Sequence, residues 1–121
     1  MGLIVRFEDI KGWQEARDLT RNIYFITSRP PFSKDYELVS QIRRASISIM
    51  ANIAEGFDCA SRVEYGRFLG YARRSAAEVQ SLLYVAIDAG YVKHDMFENP
   101  FQQSEVTKAL IGGLMKSLTA K

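Results

Sequence analysis

One cysteine, one histidine and three prolines in 121 residues leave several chemistries without their parts. Cys59 has no partner for an internal disulfide, and with His94 as the only histidine no zinc quartet can be assembled. No Glu-x-x-His pair occurs, which removes the di-iron chemistry that helix bundles can house. His94 stands beside Asp95, but nothing nearby supplies a nucleophile or an orienting group. No metal, no cofactor and no enzymatic activity are therefore expected. No apolar run approaches the roughly 18 residues of a membrane span, so a membrane role is set aside. The opening Met1–Asp9 lacks the basic-then-apolar order of a secretory signal, and Gly2 is followed by no hydroxyl residue at the spacing of a myristoylation signal. A lone thiol without a targeting segment points to a reducing cytoplasm. An excess of one charge is missing too. The 16 basic and 14 acidic side chains leave a net +2, which permits contact with a polyanion without demanding it.

What is present is helix. Between Asp35 and Phe57 apolar residues fall at Leu38, Ile42, Ala45, Ile49 and Ile53, a spacing that gives a helix one buried stripe. Gln41, Arg44, Ser48, Asn52 and Glu55 form a polar line edging that stripe. Ile47, Met50, Ala54 and Phe57 widen the apolar surface beyond one seam, so the helix is expected to be covered on more than one side. Further helices are expected over roughly 9–28, 61–90 and 99–119, with the central one at 35–57. Asp9 is the expected cap of the first, Ser33 or Asp35 of the second, and Ser61 with Glu64 forms a capping box for the third. Gly56 and Gly90 suit the left-handed position that ends a helix. Asn99-Pro100 reads as the start of the last helix, whose seam is expected at Val106, Leu110, Leu114 and Leu118. Short loops between such helices imply a single all-α domain, an antiparallel up-down-up-down four-helix bundle.

The spaced residues Trp13, Ala16, Leu19 and Tyr24 are followed by Leu38-x-x-Gln41-Ile42-Arg43-Arg44-Ala45-Ser46-x-Ser48-Ile49-x-Ala51-Asn52-Ile53-Ala54-Glu55-Gly56. Phe68-Leu69, Ala72, Ser75 and Glu78 come next, then Gly90-Tyr91. Over nearly the whole chain this pattern resembles the bacterial four-helix-bundle proteins encoded within intervening sequences of large-subunit ribosomal RNA genes. That family also includes the accessory variability determinant of diversity-generating retroelements. The resemblance implies a homopentameric ring and, in the retroelement branch, a basic surface that binds nucleic acid. Two departures stand out. Met50 occupies a position where relatives usually carry proline, which implies a straighter second helix here. The last helix has only Lys108, Lys116 and Lys121 where the retroelement branch is densely basic.

Closing the second and third helices on a loop near Cys59–Ala60 pairs residue i with about residue 119 − i. That register brings Arg43 and Arg44 level with Arg73 and Arg74, one belt able to grip phosphates. Arg17 and Arg21 on the first helix are further candidates for nucleic-acid contact. Arg44 with Glu78, and Arg67 with Glu55, read as interhelical or intersubunit ion pairs; Gln41, Ser48 and Asn52 read as polar positions that specify assembly. The expected partners are further copies of the chain, with RNA or DNA bound weakly and without strong sequence preference. The alternative is a purely protein-binding scaffold.

Overall fold

A computed structural model describes residues 3–119 of the chain, so Gly2 and Lys121 lie outside it. The architecture is all-α: α1 (Lys11–Thr27), α2 (Tyr36–Phe57), α3 (Arg62–Asp88) and α4 (His94–Thr119) run up-down-up-down. α1 packs on α2 and α4, and α3 packs on the same two helices, leaving four seams around one core. α2 presents the expected stripe: Leu38, Ile42, Ala45, Ile49 and Ile53 are all buried. α3 contributes Leu69, Ala72, Ala76, Val79, Leu83 and Ala86, and α1 contributes Ala16, Leu19, Ile23 and Ile26. Three of those six α3 residues are alanines, which brings its backbone close to its neighbours. α2 is continuous through Met50.

Several helix ends follow their local chemistry. Asp35 caps α2 by accepting from the Leu38 N–H at 3.1 Å, and Ser61 caps α3 by accepting from Glu64 N–H at 3.1 Å. The capping box is only half made, because the Glu64 carboxylate turns to Arg67 at 3.0 Å. Gly90 takes φ +80°, with Tyr91 N–H bonded to Ala86 O and Gly90 N–H to Ile87 O. These two bonds are the paired closure that terminates a helix at a left-handed residue.

Other ends differ from expectation. Asp9 does not cap α1; it closes a short 3-10 turn over Phe7–Asp9, and α1 begins after Ile10, which offers no side-chain cap. Gly56 lies inside α2 rather than at its left-handed end. A Cβ there would sit 2.8 Å from Phe68 Cβ and 3.1 Å from Tyr65 Cδ1, so glycine permits the close approach of α3. α4 begins at His94, five residues before the expected Asn99 cap, and Pro100 is buried within it. Phe97 and Phe101 stack at 5.1 Å on either side of Pro100, and Tyr84 of α3 packs against both. This aromatic cluster holds the extra turn that the proline's missing N–H would otherwise weaken.

The expected α4 seam holds at its far end, where Leu114 and Leu118 pack half-buried against the core, and differs before it. Phe97, Pro100, Ser104, Thr107 and Ile111 face the core, while Val106 is 45% exposed. Ser104 donates to Pro100 O at 2.9 Å and Thr107 to Gln103 O at 2.7 Å. Each hydroxyl is satisfied within its own helix, so it enters the core without an orphaned donor. Each seam then carries a polar link of its own. Thr20 donates to Ser46 O between α1 and α2, and the Ser48 and Ser75 hydroxyls meet between α2 and α3. Gln80 donates to Glu105 between α3 and α4, and Asn22 to Gln103 between α1 and α4.

Candidate nucleic-acid interface

The Ser48–Ser75 hydroxyl contact at 3.0 Å sets the α2–α3 register one helical turn away from the expected 119 − i pairing. The link of residues 58–61 is centred on Cys59–Ala60 as expected, so the offset lies in how far α3 is staggered along α2 and not in the position of the loop. The expected belt of Arg43, Arg44, Arg73 and Arg74 is consequently not one patch. Arg43 turns into the α1–α2 seam, where its Nε donates to Thr27 Oγ1 at 2.9 Å and its guanidinium lies 4.3 Å from the Tyr24 ring centre. Arg44 stays on the outer α2–α3 surface and donates to Ser40 Oγ at 3.1 Å. Arg73 reaches the other way, to α4: its Nη1 lies 3.4 Å from where a Gly112 side chain would begin. Arg43 and Arg73 therefore serve opposite seams of the bundle.

Within one copy of the chain neither expected interhelical ion pair forms. Arg67 pairs with Glu64, not with Glu55, one turn away on its own helix. Glu55 is exposed and borders a groove of about 530 Å³ between the N-terminal segment Val5–Glu8 and the end of α2. Arg44 and Glu78 border one groove of about 410 Å³ with Gln41 and Ser48, but no ion pair joins them. Asn52 donates to Ser48 O and Oγ, completing the α2–α3 polar link. On α1, Arg17 lies 5.7 Å from the Trp13 ring centre and Arg21 pairs with Asp18 at 3.1 Å.

What the structure does gather is the lower half of the α3–α4 face. Arg62 bridges the two helices by donating to Leu118 O at 3.2 Å, a favourable place for a cation because the carbonyl end of α4 is partially negative. Arg73 lies over Gly112, while the neighbouring Arg74 is exposed on α3 and leans away from α4, over the Tyr71 ring at 5.8 Å on the side of Phe68 and α2. Lys116 follows Gly112 by one turn on the same face of α4. Among the described residues, none of these four cations has a carboxylate within 4 Å. Between them Gly66 and Gly113 have no neighbour within 4 Å of a would-be side chain, and Gly70 meets only Met115 at 3.9 Å. Such a surface offers guanidinium forks to an anion with little side-chain bulk in the way. Arg62 and Lys116 were not singled out from sequence. The signal was present in the second hairpin, since closing α3 on α4 around Gly90 brings the last turns of α4 alongside the first half of α3, with Lys116 near the Arg73 turn and Arg62 about 16 Å further along the axis.

The upper half of the same face has the opposite character. Glu105 accepts from Gln80 Nε2 at 2.6 Å, and Lys108 Nζ lies 3.6 Å away. The Gln80 hydrogen bond first, and the Lys108 charge second, hold the Glu105 carboxyl below the usual glutamate range. His94 faces Glu98 at 3.9 Å. Among the described residues no three His, Cys, Asp or Glu side chains converge on a point where a metal ion would sit, and no helix is long and apolar enough to cross a membrane.

The family profile described as 23S rRNA-intervening sequence protein matches residues 8–113. No curated protein matches the chain. A crystal structure of a protein of unknown function from the S23 ribosomal protein family of Bacteroides thetaiotaomicron is similar in fold. It has a TM-score of 0.80 and 23% identity, over 87% of this chain and 95% of the other.

Proposed function

Since the chain belongs to the 23S rRNA-intervening sequence protein family, we propose that it is a non-enzymatic, self-associating helical-bundle protein that holds nucleic acid through its phosphates. The observation that carries the reading is the row of Arg62, Arg73 and Lys116, set without carboxylate partners among the described residues along a glycine-lined stretch of α3 and α4, with Arg74 exposed beside Arg73. A phosphate backbone is the polymer that such a surface suits: it needs separated cations and close approach, and no base-reading groove is required. One subunit at net +2 attracts a polyanion weakly. Copies joined in an assembly repeat the cluster, and a strand that spans several copies gains avidity.

The test is binding to single- and double-stranded RNA and DNA as a function of salt. Neutralising about four to six phosphates gives a slope of log K against log salt of about −3 to −5. Charge reversal of Arg73 and Arg74 to glutamate weakens binding uniformly across sequences while helicity and particle mass stay unchanged. Absence of salt-dependent binding at low ionic strength overturns the reading. Smaller particles in the charge-reversed protein assign the arginines to assembly instead.

A further inference from the structure

The upper α3–α4 face carries a groove of about 410 Å³ lined by Phe97, Glu98, Phe101, Gln102 and Glu105. Its floor is aromatic. Phe97 and Phe101 stack at 5.1 Å, and Tyr84 closes on them from α3 at 5.2 and 5.4 Å while remaining 53% exposed. Part of this cluster secures the start of α4, yet the bundle does not need Tyr84 to present half of its surface to water. Two carboxylates rim the rings. Among the described residues Glu98 pairs only with His94, at 3.9 Å, and Glu105 is held in place by Gln80 and Lys108.

We infer that this groove binds an arginine-bearing basic segment of a protein partner, with a guanidinium over the Tyr84 and Phe101 rings and its N–H groups directed at Glu98 and Glu105. Aromatic faces attract cations, and the planar guanidinium can stack on a ring while donating in its own plane to carboxylates. A compact ammonium satisfies only the charge. Phosphate is excluded by the same two carboxylates, so the occupant differs from that of the basic half. Arg73 and Tyr84 lie eleven positions apart on α3, about 16 Å along the helix axis. Two dissimilar partners thus fit one face side by side, and the inference does not depend on the phosphate reading.

An octapeptide of alternating Gly and Arg, labelled at one end, is the probe; its Gly–Lys counterpart is the comparison. Amide shifts on titration are expected at Tyr84 and across Phe97–Glu105, with the arginine peptide bound more tightly than the lysine peptide. Glu98→Lys and Tyr84→Ser each weaken binding by at least about fivefold. Glu55→Lys, at an exposed acid near the other end of the bundle, leaves affinity within about twofold. Should Tyr84→Ser fail to fold, Glu98→Lys decides alone, because its side chain is 66% exposed. Unchanged affinity in Glu98→Lys, an equal loss in Glu55→Lys, or shifts spread over the whole surface overturns the assignment. A change of particle mass in Glu98→Lys also overturns it, since the groove then belongs to another copy of this chain.

Discussion

Gly56 and Gly113 both lie inside helices, yet substitution by alanine is expected to move stability in opposite directions. At Gly56 the new methyl meets Phe68 Cβ, an atom tied directly to the α3 backbone, at 2.8 Å. Relief requires the helices to separate, at a cost of about 1–3 kcal/mol. At Gly113 none of the described residues lies within 4 Å, so Gly113→Ala gains up to about 1 kcal/mol from helix propensity. Urea denaturation of the two variants checks both signs. Glu105 supplies a pH test at the same scale. Its folded carboxyl sits below the ordinary glutamate range, so its contribution to stability is present above that range and is lost as pH falls through the depressed value. Gln80→Met removes the larger cause. The Glu105 titration midpoint, read from its carboxyl carbon by NMR, is expected to rise toward the ordinary value, and stability then changes less on acidification.

At the scale of the helix, legibility tracked where burial and side-chain chemistry agree. The α2 stripe was readable because every buried position except Ser46 and Gly56 is apolar, and Asp35, Ser61 and Gly90 announce their ends by residue type. In α4 the expected Leu114 and Leu118 do pack on the core, but the first half of the seam departs from expectation because two of its core positions are hydroxyl residues bonded to their own helix, while apolar Val106 faces outward. Its start was misread because Pro100, a good first-turn residue, is instead sheltered within an aromatic cluster joined across the seam by Tyr84. The arginines were legible as a group but not by direction. Which seam each one serves is set by its angle around its own helix, and its height by the stagger of α3 along α2, which the position of the loop alone does not fix. Arg43 shows the consequence: its hydrogen bond to Thr27 and its stacking on Tyr24 bind α1 to α2. Arg43→Gln should destabilise the protein by about 1–2 kcal/mol in denaturation while leaving the salt dependence of nucleic-acid binding as it was.

For the whole molecule, the outer α1–α2 surface bears on self-association. Ile47 is 44% exposed, Tyr24 is 40% exposed, and Met50, Ala54 and Phe57 are only half covered. Val5, 76% exposed, borders the groove at one end of this surface together with Ala54 and Phe57. A second copy would remove this apolar area from water. Light scattering coupled to size exclusion at micromolar concentration is expected to show a particle several times the 13.7 kDa chain, with five copies as the resemblance implies. A 13.7 kDa particle overturns that expectation.

The glycine contact between α2 and α3 also bears on how the molecule breathes. These two helices pack most extensively of any pair, and the link between them, Asp58–Ser61, is short. A hairpin closed so tightly has little to gain by opening alone. Amide protons of α2 and α3 should therefore exchange with solvent only through global unfolding, while those at the ends of α1 and α4 exchange through smaller local openings. Hydrogen–deuterium exchange of the intact protein reads this hierarchy directly. In Gly56→Ala the slow class should shrink first at the Gly56–Phe68 crossing, before any change appears at the far end of the bundle.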